Sequence, residues 1–246
     1  MPTGDLFVDM RNVPFLSSVS FASSQGQIEL DSNGQLKSIG LCPSVACLNR
    51  GTAVASEAGY DPYVAWGRWT NGTVNVRLLG LFTSTQRLEA HDGIHYLVGV
   101  PTESLPTAGS ATYSLLGATL ATGKGVDPLT VSGNVAVTFA PNLGTRIGLD
   151  LRLDRNNGAQ TYQITSTGGL TNPSLSELRL ISPNRFGGAL AVTSNTSEIG
   201  CNATGACTAT FTGGFFGPSA QRLGVSYAIL RNQSVRIEGV ATFKKN

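Results

Sequence analysis

His91 and His95 are the only imidazoles in the chain, four positions apart in His91-Asp-Gly-Ile-His95-Tyr96. Neutral imidazole ligates zinc, copper and haem iron, and a loose Asp-Gly step could turn both rings toward one metal, with Asp92 adding an oxygen. The competing expectation is structural: His95 and Tyr96 open a strand while His91-Asp92-Gly93 makes a polar turn. A haem would also need an apolar slot, for which Leu78, Leu79, Leu81 and Phe82 are the nearest suppliers. Both tryptophans, Trp66 and Trp69, flank Arg68, a combination suited to cation–π stacking and interface anchoring. On a strand, Trp66 and Arg68 share a face and Trp69 takes the other, so one ring could be in a core and the other exposed as an anchor. The expected role is structural, sealing the N-terminal portion against the barrel that follows it. Trp66, Arg68, Trp69, His91, His95 and Tyr96 form the candidate ligand-binding set, with His91 and His95 as its metal pair.

The four cysteines form two local pairs, Cys42/Cys47 and Cys201/Cys207. Each spacing can close a small disulfide loop, which would place the protein in an oxidising compartment. Free thiols and a four-thiolate zinc site are the alternatives, although the second spacing exceeds what zinc pairs usually show. Catalytic constellations are missing: there is no Gly-x-Ser-x-Gly elbow and no phosphate-binding loop. Asp150, Asp154 and Glu238 alternate with Arg146, Arg152 and Arg236, which predicts ion pairs on a wet outer face. Catalysis is therefore not expected.

These groups need a scaffold, and composition bounds it. The 246 residues carry 17 Lys+Arg against 15 Asp+Glu, a net charge of +2, and charged residues are 13% of the chain. So few charges argue against nucleic-acid binding, which needs clustered cations. Hydrophobic residues at 41% argue against disorder. No apolar run approaches the ~20 residues of a membrane-spanning helix. The start, Met1-Pro-Thr-Gly4, lacks the basic and apolar regions of a signal peptide, so either a cytosolic protein or a mature fragment or excised domain is expected, and the cysteine pairs favour the second.

Period-two alternation dominates after residue 108. Ile147, Leu149, Leu151 and Leu153 oppose Arg146, Asp150, Arg152 and Asp154, and Val131, Val135, Val137 and Phe139 oppose Thr130, Ser132, Asn134 and Thr138. Similar runs near 110–118, 160–166, 186–193, 207–215, 223–229 and 235–243 bring the total to eight strands, separated by Gly, Pro and Asn turn signals. They predict an all-β fold: an eight-stranded antiparallel up-and-down barrel with a β-rich N-terminal portion, divided as 1–93 and 94–246. Ser174–Leu180 could hold one helical turn. Aromatics, at 7%, form no girdles at strand ends, so an outer-membrane barrel is not expected.

The segments Gly213-Gly-Phe-Phe-Gly-Pro-Ser-Ala-Gln-Arg-Leu-Gly-Val-Ser-Tyr227 and Gly239-Val-Ala-Thr-Phe243 resemble the hairpin that closes eight-stranded barrels of the transferrin-binding-protein-B-like superfamily. Leu105-Pro-Thr-Ala-Gly-Ser-Ala-Thr-Tyr-Ser114 resembles that group's first barrel strand, with Leu115 in place of its last glycine. Trp66-Gly-Arg-Trp-Thr-Asn-Gly72 and His95-Tyr-Leu-Val-Gly-Val-Pro-Thr102 resemble a barrel module that follows FecR-type domains. Gln221-Arg222 replaces the usual acidic residue and Val225 the second glycine. The resemblance implies a non-catalytic binding protein of Gram-negative bacteria, at the cell surface or secreted. It would engage haem, another iron source or a host macromolecule through the N-terminal portion and barrel loops, including the Cys201–Cys207 loop. Haem is the one cofactor implied. The alternative is a structural or signalling-associated C-terminal domain of a larger FecR-like envelope protein. Phe215 or Phe216 is expected to plug one barrel end.

Overall fold

A computed structural model describes residues 2, 6–13, 16–23, 27–40, 47–78, 82–123, 125–141, 144–155, 157–203 and 206–246. The N-terminal portion contains β1 (Leu6–Val13), β2 (Leu16–Ser23), β3 (Ile28–Leu30), β4 (Leu36–Gly40), β5 (Cys47–Asn49), β6 (Val54–Tyr60), β7 (Val64–Thr70), β8 (Gly72–Leu78), β9 (Phe82–Leu88) and β10 (Ile94–Gly99). They form two five-stranded antiparallel sheets, ordered β2-β1-β10-β7-β6 and β3-β4-β5-β8-β9. Alternate residues of each sheet meet in one core, with Val8, Met10, Trp69 and Tyr96 from the first facing Leu36, Leu48, Val74 and Leu88 from the second. Two half-apolar sheets can bury their greasy faces only against each other, so this portion is a sandwich.

The second portion is a closed antiparallel barrel of eight staves, in the up-and-down order expected from the alternation. Its first stave is β11 (Ser110–Ala118) continued by β12 (Ala121–Gly123), followed by β13 (Val126–Thr138), β14 (Arg146–Arg155) and β15 (Gln160–Thr165), which is extended by β16 (Leu178–Ser182). The circuit ends with β17 (Arg185–Ser194), β18 (Cys207–Phe216), β19 (Arg222–Arg231) and β20 (Ser234–Lys245). β20 closes on β11 through pairs such as Tyr113↔Lys245 and Leu115↔Phe243. The fourth stave is split because β15 and β16 pair with opposite ends of the same strand, Ile164 with Val192 and Leu180 with Phe186. The helical turn expected at Ser174–Leu180 is therefore replaced by a turn running into β16, since Leu178 and Leu180 alternate into the barrel core.

Side chains fill the interior. Ile147, Leu149, Leu151 and Leu153 line it beside Tyr113, Tyr162, Phe186, Phe211, Phe215 and Phe243. An eight-stave barrel is just wide enough for such filling. The outward positions of β14 are polar or charged, with Arg146 and Arg152 exposed. Phe215 does plug the barrel, tilted against Phe139 at 6.0 Å and Phe186 at 5.5 Å between ring centroids. Phe216, the next residue, points out of the barrel and stacks on Phe7 of the sandwich at 6.2 Å.

The division at 93/94 needs correcting at one strand. β10, expected to begin the barrel portion, lies in the sandwich between β1 and β7, with His95 paired to Arg11 and to Arg68. Its inward residues Ile94, Tyr96 and Val98 complete the sandwich core, so the chain crosses to the barrel only over residues 100–109. That crossing is stitched down by Thr102 N–H donating to the Phe215 carbonyl and Gly217 N–H donating to the Val100 carbonyl, both at 2.9 Å.

Phe215→Ala should lower the unfolding free energy by about 3–5 kcal/mol, the usual cost of emptying a buried phenylalanine site. Urea denaturation checks this; a loss below about 1 kcal/mol would contradict the plug.

Candidate functional site

β1, β10 and β7 each present one face to the sandwich core and the other to the outside wall of the barrel. On the barrel side lie Phe7, Val64, Trp66 and Leu97, packed with Phe216 and Val240. The same face carries polar groups that the barrel wall must satisfy: Asp9, Arg11, Arg68 and His95, all buried, as are Ser226, Glu238 and Thr242 opposite. This junction holds most of the residues singled out from sequence, and it decides what each can do.

His95 is fully buried, and both ring nitrogens are engaged by the first stave: Nδ1 with Thr119 Oγ1 and Nε2 with Thr122 Oγ1, each at 2.8 Å. Burial, with the Arg68 guanidinium adding to it, pushes its pKa down to about 3, so the ring is neutral at physiological pH. His91 lies on an exposed turn before β10. The two rings are therefore not presented together. Coordination of haem iron by His95 would require breaking a buried hydrogen bond and opening the junction, so the residues present do not fit haem. Of the slot residues, Phe82 is exposed, and Leu79 and Leu81 lie outside the described residues. Among the described residues, no three His, Cys, Asp or Glu side chains cluster as a metal site.

The tryptophans occupy opposite faces, as alternation required, but both are buried. Trp66 lies in the junction against the first stave, where a Cβ on Gly117 would run into its indole. Trp69 sits in the sandwich core, its Nε1 donating to the Leu36 carbonyl at 2.9 Å, with its ring 6.0 Å from Tyr96. Neither ring is exposed, because the barrel wall covers the second face of β7, and Trp66 packs the N-terminal portion against the barrel as the structural reading expected. Tyr96 is likewise interior, and burial raises the pKa of its phenol. Arg68 is locked: it donates to both Glu57 carboxylate oxygens at 2.8 and 2.9 Å and to the Ala90 and Asp92 carbonyls at 3.0 and 3.2 Å. No donor-rich face of Arg68 is left toward solvent.

Cys201 and Cys207 form a disulfide with Cα atoms 5.2 Å apart, and both are buried in the barrel core with Ile199. Their loop is thus partly a plug, tied down by Arg155 donating to Glu198 at 3.0 Å, while Asn202 and Ala203 remain exposed. Cys47 is disulfide-bonded, and Cys42 lies outside the described residues. The carboxylates follow a different pattern from that expected. Asp154 pairs with Arg152 of its own strand at 3.4 Å, and Asp150 accepts from Thr165 at 3.0 Å and from Gln163. Glu238 leaves the wet outer face altogether, because the sandwich docks over the end of β20 where it sits.

Sequence reasoning missed Asp9, Arg11 and Phe7, which build the junction, and offered Phe216 only as a barrel plug. Arg11 reaches across it, donating from Nε to Ser226 Oγ at 3.1 Å and from Nη2 to Thr212 Oγ1 at 3.4 Å. Asp9 is buried with no hydrogen-bond partner on either carboxylate oxygen. Burial, partly offset by Arg11, by the Ser226 hydroxyl beside it and by Arg185, raises its pKa to about 6. A usable signal existed: Phe7, Asp9 and Arg11 alternate with Leu6, Val8 and Met10, so β1 had no purely wet face. A cleft of about 470 Å³ opens beside the junction, lined by Tyr63, Pro101, Thr102, Glu103, Pro218 and Ser219 among others.

Arg68→Ala should cost about 3–5 kcal/mol, because it strands a partly buried carboxylate and two carbonyls. His91→Ala on the exposed turn should change stability by less than about 0.5 kcal/mol. Thermal or urea unfolding of both variants checks the contrast, and equal effects would contradict these placements.

No protein-family model matches the sequence, and no curated protein is similar to it. Among solved structures, the chain is similar to a double mutant of transferrin-binding protein B, a vaccine antigen from Haemophilus parasuis Hp5, at 14% identity and a TM-score of 0.51. That match covers 98% of this chain and 45% of the other. Isotype 1 transferrin-binding protein B from serogroup B Neisseria meningitidis matches at 12% identity, covering 98% of this chain and 44% of that one, with a TM-score of 0.47. A surface lipoprotein matches at 17% identity over 100% of both chains, with a TM-score of 0.44. The chain thus spans less than half the length of these two transferrin-binding protein B chains, and over that span it shares their fold.

Proposed function

We propose that this chain is a non-catalytic binding protein displayed at a bacterial surface or secreted, which engages a folded host protein through its N-terminal sandwich. The observation that carries the reading is where large apolar side chains meet water. Among the described residues, Phe82 is 68% exposed, Val54 55% and Tyr60 48% on β9 and β6, which are edge strands of the two sandwich sheets. Ile181 at 56%, Leu175 at 43% and Val235 at 39% are exposed on the barrel, but both exposed aromatic rings lie on the sandwich. Large apolar groups left in solvent beside polar ones suit protein contacts, and aromatic rings are the usual anchors. The barrel interior is filled by its own side chains, so recognition falls to the outer surface and loops, for which the barrel is a rigid mount. The fold shared with transferrin-binding protein B supports a host protein as the partner class and the cell surface as the place.

Surface plasmon resonance with the chain immobilised, and transferrin and haemoglobin as analytes, tests the reading. Saturable binding of one of them is expected. A Tyr60→Ser/Phe82→Ser variant should weaken it at least about tenfold, or roughly 1.4 kcal/mol, while keeping its fold, since both rings are surface groups. Absence of binding by both analytes, or binding indifferent to the double variant, would overturn this reading and leave a structural role within a larger envelope protein.

A further inference from the structure

The junction between sandwich and barrel contains more ionisable chemistry than a static contact needs. Arg11 of β1 sits between two buried acids, Asp9 on its own strand and Glu238 on β20, and its charge acts on both. The only other cation acting on Asp9 is Arg185 of β17, which lies over the Phe7 ring at 4.3 Å. Glu238 accepts from the Asn12 backbone N–H and is the cross-strand neighbour of Thr122. Thr122 in turn holds His95 Nε2, and the cation acting on His95 is Arg68, paired with Glu57. Asp9, Arg11, Glu238, Thr122, His95 and Arg68 thus form a row of ionisable groups and one bridging hydroxyl along the seam. Every titratable member of the row would return to water if the two portions parted.

We propose that this seam is a proton-linked joint: docking the sandwich onto the barrel binds protons at Asp9 and Glu238, so the joint holds in mild acid and loosens as those two carboxyls ionise. A carboxyl as deeply buried as Asp9, whose two oxygens are far from fully paired, is better tolerated neutral than charged. Burial raises Asp9 from 3.8 to about 6 and Glu238 from 4.5 to about 7. A raised acid stabilises the docked state fully below its free pKa, and this contribution is lost as pH rises through the docked value. Asp9 therefore acts across roughly pH 3.8–6 and Glu238 across roughly pH 4.5–7. His95 works the other way. Its pKa, depressed from 6.5 to about 3, means that docking is penalised as pH falls below 6.5. The acids outweigh the imidazole over most of the range from about pH 5 to about pH 7, leaving a net uptake of protons on docking.

Amide hydrogen exchange, corrected for intrinsic rates, reads the joint through the Thr102 and Gly217 N–H groups, whose bonds stitch the crossing segment to the end of β18. The β14 amides serve as the control for global opening. In the wild-type chain the opening constant at Thr102 and Gly217 should rise roughly thirtyfold from about pH 5 to about pH 7.5, with β14 unchanged. Asp9→Asn should reduce this rise to about twofold, and Glu238→Gln should turn it into a fall of about threefold, because Asp9 alone no longer outweighs His95. His95→Gln should steepen it to several hundredfold or more, because the opposing group is gone. Opposite effects from the acid and imidazole variants are a signature that a loss of packing would not produce. A rise that is absent in the wild type, or that survives unchanged in Asp9→Asn and Glu238→Gln, overturns the proposal. Should Glu238→Gln fail to fold, Asp9→Asn and His95→Gln still decide it by the sign of their effects.

Discussion

The outer face of β1, β10 and β7 has to be buried against the barrel wall, and the arrangement of the molecule depends on that contact. Without it, Phe7, Trp66 and Leu97 would form an exposed apolar patch on the sandwich, and Phe216 and Val240 another on the barrel. Burying such groups contributes about 1.5–3 kcal/mol each. The close approach has steric conditions: Gly117 on the first stave leaves room for the Trp66 indole, and Gly99 on β10 leaves room for the Phe216 ring. Any side chain at either position would hold the two portions apart.

The apolar contact also explains why polar groups accumulate in the seam. Barrel staves alternate, so the wall offered to the sandwich is the barrel's polar outer face, with Thr119, Thr122, Ser226, Glu238 and Thr242. The sandwich answers with Arg11 and His95, whose donors and acceptors meet those hydroxyls. A buried polar network is stable only where its members are satisfied, which is why His95 uses both nitrogens and Arg68 nearly all its donors. Asp9 is the exception. Its carboxylate is the least well satisfied acid of the seam.

For binding, the consequence is a division of labour. The small barrel is packed solid and the seam is sealed. Among the described residues the exposed aromatic rings are both at edges of the sandwich, Tyr60 on β6 and Phe82 on β9, and the exposed aliphatic groups are shared between the sandwich (Val54) and the barrel (Leu175, Ile181, Val235). Edge strands with exposed apolar groups are a liability in an isolated protein, and a partner surface is the usual reason to retain them.

The barrel was legible from sequence because alternation is a local signal. The sets Ile147/Leu149/Leu151/Leu153 and Val135/Val137 state their face residue by residue, and Gly217-Pro218 marks the turn before the last hairpin. The candidate site was not legible in the same way. His95, Trp66 and Arg68 have the residue types of a ligand site, and nothing within their own strands says that a second surface covers them. Glu238 reads as a solvent-facing charge in β20 until the sandwich is placed over it. Strand identity and inward face follow from neighbours two positions apart, so the sequence alone determined them. Whether an outward face meets water or another sheet depends on pairing between residues more than a hundred positions apart, such as Arg11 with Ser226, and only the tertiary structure decided that.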